Sequence, residues 1–157
     1  MAITTVAPCG LICDICIGFQ RTKNRCSGCA GDFKPAHCAK CSILNCPEKQ
    51  FCSGTPCDAC AKYPCKRLKN LEKRYSLKYG ESLMENFRRI EALGLDGFLQ
   101  EAEAEWTCPG CGALLCVHRA NCLSCGASNS HYPKAEHSNK QTENADKITL
   151  VEERKNV

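Results

Sequence analysis

Cysteine is the residue whose type and spacing could do chemistry in this 157-residue chain, which contains seventeen of them. Six cysteine pairs have two intervening residues, a spacing that lets two thiolates of one tight turn bind a single metal ion. A disulfide within such a pair would be strained, and an odd number of cysteines does not give a closed disulfide framework. The pattern therefore favours metal binding. The pairs are Cys13/Cys16, Cys26/Cys29, Cys38/Cys41, Cys57/Cys60, Cys108/Cys111 and Cys122/Cys125.

The last two pairs form the most specific motif. Cys108-Pro-Gly-Cys111-Gly precedes Cys122-Leu-Ser-Cys125-Gly, with ten residues between Cys111 and Cys122. Two such turns facing each other make a tetrahedral four-thiolate site, and the glycines permit the backbone bend around the metal. The motif predicts a zinc ribbon, since the related iron knuckles of rubredoxin are normally further apart. Cys116 is left over and is expected to be a small buried hydrophobe, while His118 is expected in a solvated loop.

Twelve cysteines precede residue 66, enough for three four-thiolate sites. One natural set comprises Cys26, Cys29, Cys38 and Cys41. A second comprises Cys9, Cys13 and Cys16, and requires a fourth ligand from a distance. Five remain, one of which could complete the second set, and the pairing across these groups stays open. His37 is more consistent with a loop residue than with a ligand. The remaining five cysteines are Cys46, Cys52, Cys57, Cys60 and Cys65.

An iron–sulfur cluster is the alternative cofactor. Cys9-x3-Cys13-x2-Cys16 has the spacing of the radical-SAM cluster motif, although the barrel of those enzymes could not fit in this chain. The compact Cys-x2-Cys-x2-Cys-x3-Cys run of bacterial ferredoxins is absent from the sequence. We therefore expect several zinc ions, and keep a cluster at Cys9, Cys13 and Cys16 as the alternative.

The first 65 residues need cross-links to fold, because they contain only thirteen large apolar side chains beside their twelve cysteines. The chain start does not resemble a secretory signal, and no apolar run is long enough to span a membrane. A reducing, cytoplasmic location is therefore expected. The formal charge is +4, but four zinc–thiolate sites would bring it to about −4. The overall charge therefore gives no support to a nucleic-acid partner.

Composition divides the chain into four segments. Residues 1–65 form the cysteine-rich metal-binding region, 66–106 a helical segment packed on it, 107–126 the zinc ribbon and 127–157 a disordered polar tail. The predicted fold class is a small metal-stabilised α+β or irregular fold with zinc knuckles, a short helical segment and a C-terminal zinc ribbon.

The helical segment has the clearest local signals. A helix is predicted over residues 66–79 and ends at Gly80. Ser82 and Glu85 form a capping box for a second helix that ends near Gly94, and Asp96 can cap a third that runs to about residue 106. The apolar positions of these helices are expected to supply most of the core. They are Leu68, Leu71, Tyr75, Tyr79, Leu83, Phe87, Ile90, Leu93, Phe98, Leu99 and Ala102.

An ordered set of motifs extends from residue 8 to residue 126. It comprises Cys9-Gly-Leu-x-Cys13-x2-Cys16, Cys26-x-Gly-Cys29, Cys38-x2-Cys41, Cys46, Cys57-x2-Cys60-x2-Tyr-Pro-Cys65, Arg88-Arg89-Ile90, Trp106-x-Cys108-Pro-x-Cys111-Gly and Cys122-x2-Cys125-Gly. This order resembles domain-of-unknown-function family 3795, which is cysteine-rich and presumed to bind metal. The resemblance implies no established activity. Cys52 departs from the family pattern, which makes it the least secure candidate ligand.

Catalytic residues do not stand out, because the chain has no evident Ser/His/Asp arrangement, phosphate loop or paired-carboxylate motif. Two functions remain. The first is a zinc-stabilised binding module, for which a protein partner is favoured over nucleic acid and no membrane is expected. The second is an iron–sulfur redox or cluster-carrying protein. The best candidate contact surface is basic, with Tyr75 and Tyr79 nearby. It comprises Lys66, Arg67, Lys69, Lys73, Arg74 and Lys78.

Overall fold

The computed structural model describes residues 2–50 and 56–134. Two one-turn helices lie in the cysteine-rich region, α1 at Ile17–Gln20 and α2 at Ala36–Ala39. Two longer helices follow, α3 at Lys66–Tyr79 and α4 at Leu83–Trp106. Short 3-10 turns occupy Cys13–Ile15, Pro47–Gln50 and Cys57–Ala59.

Helix α3 has the predicted bounds. Gly80 follows it with a φ of 69°, a left-handed conformation in which only glycine avoids a steric penalty from Cβ. A Cβ there would lie 2.3 Å from the His131 carbonyl oxygen, so close approach of the chain also requires glycine. Leu68 is fully buried, and Leu71, Tyr75 and Tyr79 pack against the core, as the apolar spacing predicts.

Helix α4 starts at a cap that only partly matches the predicted capping box. The Ser82 hydroxyl accepts from the Glu85 amide at 3.1 Å, but the Glu85 carboxylate pairs with Arg88 at 2.6 Å. The Glu72 carboxylate supplies the remaining cap from α3. One of its oxygens accepts from the Ser82 hydroxyl at 2.6 Å, and the other from the amides of Leu83 and Met84 at 2.8 and 3.1 Å. The first-turn donors are thus satisfied by the preceding helix.

Gly94 interrupts α4 with a φ of 72° and a ψ of 165°, so the helix breaks where the sequence predicts a boundary. Leu93, placed on the apolar stripe by spacing, is instead 44% exposed beside this break. Beyond it, Phe98 and Ala102 are completely buried, as predicted.

One hydrophobic core is shared by the first cysteine-rich segment, the helical segment and the last cysteine unit. Ile12 and Ile15 from the first segment pack with Phe98 and Trp106 of α4 and with Val117 of the last cysteine unit. Backbone and side-chain bonds reinforce this packing. The Val117 amide donates to the Ile15 carbonyl at 2.9 Å, and the Gln20 amide group donates to the Leu115 carbonyl at 3.0 Å.

The β component of the predicted fold class is small. Within the described residues, β pairing consists of three isolated bridges: Val6 with Ile12, Thr107 with Leu114 and Asn121 with Ser128. The fold is therefore irregular and cysteine-rich, with few helices and almost no strand. Across residues 2–50 and 56–134, no helix has the length and apolar character needed to cross a bilayer.

Residues 127–134, assigned by composition to the polar tail, pack against the body. Asn129 is 3% exposed, and its side-chain amide donates to the carbonyls of Cys116 and Arg119 at 3.0 and 2.9 Å. The ordered body thus extends at least to Lys134, and the rest of the predicted tail lies outside the described residues.

Candidate metal centre

The two knuckles of the last cysteine unit have the same backbone geometry. The Cys108 amide donates to the carbonyl five residues later, and the Gly112 amide donates back to the Cys108 carbonyl, both at 2.8 Å. Cys122 and Gly126 repeat this pattern at 2.7 and 3.0 Å. Both glycines are left-handed, with φ values of 75° and 77°. Each knuckle therefore turns its two cysteines toward one point.

The four sulfurs of this unit gather into one compact group. The Sγ atoms of Cys108 and Cys125 are 3.6 Å apart, and those of Cys111 and Cys122 are 3.7 Å apart. All four lie within 4.8 Å of one another. A tetrahedral site with Zn–S bonds of about 2.3 Å has sulfur–sulfur edges of about 3.8 Å. The group can therefore hold a metal ion with the predicted ligands.

Backbone donors prepare this site for a cation. The amides of Cys125 and Ser124 lower the pKa of the Cys122 thiol to about 6, against an ordinary value of 9.0. The sulfurs of Cys111 and Cys108 instead raise the pKa of the Cys125 thiol to about 12. Since metal ligation requires thiolates, these two amides lower the deprotonation cost of binding for Cys122 but not for Cys125.

Cys116 and His118, which lie between the two knuckles, are held by contacts with other parts of the fold. Cys116 is completely buried, as predicted, and burial raises the pKa of its thiol. The expectation of a solvated His118 is wrong. Its Nδ1 accepts from the Ile17 amide at 3.4 Å, its Nε2 lies 3.2 Å from the Tyr75 hydroxyl, and burial lowers its pKa. Its ring also meets Tyr79 at a centroid distance of 4.7 Å. Spacing alone gives no signal for these contacts, which join distant segments.

The cysteines of the first segment are neighbours without forming a second compact group. Among the described residues, the ribbon cysteines are the set whose ligand atoms all lie within 4.8 Å. Burial is the main cause that raises the pKa of Cys9 to about 12, with contributions from the nearby thiols of Cys29, Cys41 and Cys57. The Cys57 amide donates to the Pro8 carbonyl at 2.8 Å, which brings this late cysteine beside Cys9.

Cys13 and Cys16 have partly different neighbours. Burial raises the pKa of Cys13 to about 12, and Cys29, Cys9 and Cys16 contribute to the shift. Burial also raises the pKa of Cys16, with a contribution from Cys26. The Cys26 amide donates to the Gly18 carbonyl at 2.8 Å, which holds the second knuckle against α1.

The predicted set of Cys26, Cys29, Cys38 and Cys41 shares these neighbours. Burial is the main cause that raises the pKa of Cys38 to about 11, with contributions from the thiols of Cys26, Cys16, Cys29 and Cys41. His37 is exposed on α2. A cation bound beside the Cys38 sulfur would reverse this repulsion.

The remaining described cysteines surround a separate cavity. Cys46, Cys57, Cys60 and Cys65 line it together with Lys62 and other residues of the same stretch. The Arg67 guanidinium, which spacing assigns only to a basic helix face, also lines this cavity, and its Nη1 lies 3.8 Å from the Cys46 sulfur. Cys52 lies outside the described residues. In the described part of the chain, none of the sixteen cysteines is in a disulfide.

Comparison of the chain with family models, with curated proteins and with solved structures found no match.

Proposed function

We propose that this protein is a zinc-stabilised binding module that acts in a reducing compartment such as the cytoplasm. The observation that carries the proposal is the arrangement of Cys108, Cys111, Cys122 and Cys125, whose closest sulfurs are 3.6 and 3.7 Å apart. Those distances match the edges of a zinc tetrahedron, and four protein ligands leave no open position for a catalytic water. A closed site of this kind stabilises structure.

Metal analysis of the anaerobically purified full-length chain tests the zinc site. Cys111→Ser should remove about one zinc per chain, because a four-thiolate site loses one of its ligands. Cys116→Ala is the matched control, since that buried cysteine lies between the knuckles but outside the sulfur group, and it should retain the zinc. Equal zinc content in wild type and Cys111→Ser would contradict the proposal.

We propose that the chain is a member of domain-of-unknown-function family 3795, on the order of its cysteine motifs over residues 8–126. That membership agrees with a metal-stabilised fold and supplies no activity.

We propose that the partner is an acidic protein segment that docks on α3. The charged residues on the exposed side of this helix are all basic, because its one acidic residue, Glu72, is half-buried in the cap of α4. Within the described residues, none of its six basic side chains forms an ion pair. The six are Lys66, Arg67, Lys69, Lys73, Arg74 and Lys78.

Protein is favoured over nucleic acid as the partner because the aromatic side chains of α3 turn inward. Tyr75 and Tyr79 pack on His118, whereas a single-strand-binding surface offers exposed rings for bases to stack on. The large apolar side chain left outside on α3 is Leu77, which is 69% exposed.

Binding titrations distinguish these partners. A fluorescent glutamate-rich peptide should bind more tightly than single-stranded or duplex oligonucleotides of equal length. Lys69→Glu with Lys73→Glu should weaken peptide binding about tenfold or more by replacing attraction with repulsion. Lys23→Glu with Lys134→Glu, an equal charge change on two exposed residues outside α3, is the control. Tighter binding of either oligonucleotide would contradict the protein partner.

A further inference from the structure

Four cysteines, from two 3-10 turns and from the residue before α3, surround one cavity. Cys46 precedes the turn at Pro47–Gln50, Cys57 and Cys60 lie at the turn Cys57–Ala59, and Cys65 precedes α3. The cavity has a volume of about 80 Å³. This is several times the roughly 10–15 Å³ that one water molecule requires. Leu68, which is fully buried, closes part of its wall.

The spacing of these sulfurs differs from that of the ribbon. The ribbon sulfurs all lie within 4.8 Å of one another, and the four cysteines around the cavity do not form such a group. A single zinc bonds directly to all four sulfurs and draws them to about 3.8 Å, leaving no space between them. A polynuclear cluster instead places several metal and sulfide atoms between its thiolates. Separated thiols around a cavity therefore fit a cluster better than one ion.

Positive charge lies beside the same cavity. The Arg67 guanidinium is 3.8 Å from the Cys46 sulfur, in the position of a hydrogen-bond donor to a ligating thiolate. Lys62 also lines the cavity and pairs with Glu48 at 2.6 Å. Iron–sulfur clusters with four thiolates are anionic, and donors to their sulfurs stabilise that charge.

We infer that Cys46, Cys57, Cys60 and Cys65 bind an iron–sulfur cluster, because they line one cavity beside the Arg67 guanidinium and their sulfurs are not all within 4.8 Å of one another. This site differs from the cluster alternative suggested by spacing, which uses Cys9, Cys13 and Cys16. It also goes beyond the proposed zinc function, since the ribbon and the cavity share no ligand.

Anaerobic reconstitution of the full-length, zinc-loaded chain with sulfide and equal amounts of ferrous and ferric iron tests this site, because a [4Fe–4S] cluster in its 2+ state contains two irons of each kind. The protein should become brown and bind iron and acid-labile sulfide in equal amounts, about four of each per chain for a [4Fe–4S] cluster. Cys60→Ser should lose the bound iron while the ribbon zinc remains. Cys116→Ala is the matched control, because it removes a cysteine that lies outside both the cavity and the ribbon sulfur group, and it should retain the iron.

Alkylation mapping of the wild-type chain gives a second measurement that needs no variant. The four cavity cysteines should be protected from iodoacetamide only after iron and sulfide are added, while the four ribbon cysteines are protected by zinc alone. Protection of the cavity cysteines by zinc alone, or iron retained at wild-type level in Cys60→Ser, would overturn the inference. Failure of the zinc function would appear separately, as ribbon cysteines that remain reactive with zinc present.

Discussion

The imidazole of His131 stacks on the indole of Trp106, with ring centroids 4.3 Å apart and ring planes at 27°. Its Nε2 also lies 3.0 Å from the Glu105 carbonyl at the end of α4. Trp106 is 1% exposed at the junction between α4 and the first knuckle. The residues after the ribbon therefore return to cover the core where the helix enters the metal centre.

Truncation after Lys134 should leave the stability of the fold unchanged, whereas truncation after Ala127 should lower the free energy of unfolding by roughly 2–4 kcal/mol. The shorter chain loses the His131–Trp106 stack and the Asn129 bonds to the carbonyls of Cys116 and Arg119. Urea denaturation of both zinc-loaded proteins measures the difference. Equal midpoints for the two truncated chains would show that residues 128–134 contribute nothing.

Glu72→Gln should destabilise the protein by about 1–2 kcal/mol, because the new amide group opposes donors that the carboxylate accepts at the start of α4. Glu91→Gln changes an exposed carboxylate in the middle of α4, away from the cap, and is the matched control. Thermal unfolding with zinc in excess provides the comparison. If Glu72→Gln lowers the melting temperature no more than Glu91→Gln does, the Glu72 cap contributes nothing to stability.

Chelation under reducing conditions should unfold residues 9–65 while α3 and α4 keep part of their structure. The first segment contains nearly as many cysteines as large apolar residues, so we expect metal–thiolate bonds to supply most of its stability. The helices retain local caps and their own apolar contacts. Residue-resolved amide exchange measures the two regions together. Unchanged protection of both after metal removal would contradict a metal-dependent first segment.

The metal-free, reduced chain should gain one thiolate with a midpoint near pH 6, visible as ultraviolet thiolate absorbance. The thiol is Cys122, whose pKa the amides of Cys125 and Ser124 lower to about 6. Since the folded pKa is below the ordinary value of 9.0, this group stabilises the folded state fully above pH 9 and loses that contribution as pH falls through about 6.

Cys122→Ser should remove this titration step. Cys116→Ala should retain it, because burial raises the pKa of Cys116 instead. A first step near pH 9 in the wild-type chain would disprove the backbone effect.

Local sequence signals were sufficient to predict the four-cysteine group and the helix boundaries. Two short-spaced pairs with following glycines specified the sulfur group, and Gly80 and Gly94 marked real helix boundaries. These features depend on residues close together in sequence, where spacing determines geometry.

Contacts between distant segments could not be predicted in this way. His118 meets Tyr75 across 43 residues, and Glu72 caps a helix whose own sequence already offered Ser82. The arrangement of Cys46, Cys57, Cys60 and Cys65 around one cavity likewise depends on how three turns pack. Cysteine spacing identifies pairs within a turn but does not determine which turns meet.

The bond from the Val117 amide to the Ile15 carbonyl spans 102 residues and has a consequence for synthesis on the ribosome. The twelve cysteines of the first segment emerge long before the ribbon and α4, whose side chains bury Ile12 and Ile15. Such long-range closure delays folding until the contacting segments are both available. During that interval the nascent chain exposes thiols to oxidants and to competing metals, so metal supply during translation should govern the yield of folded protein.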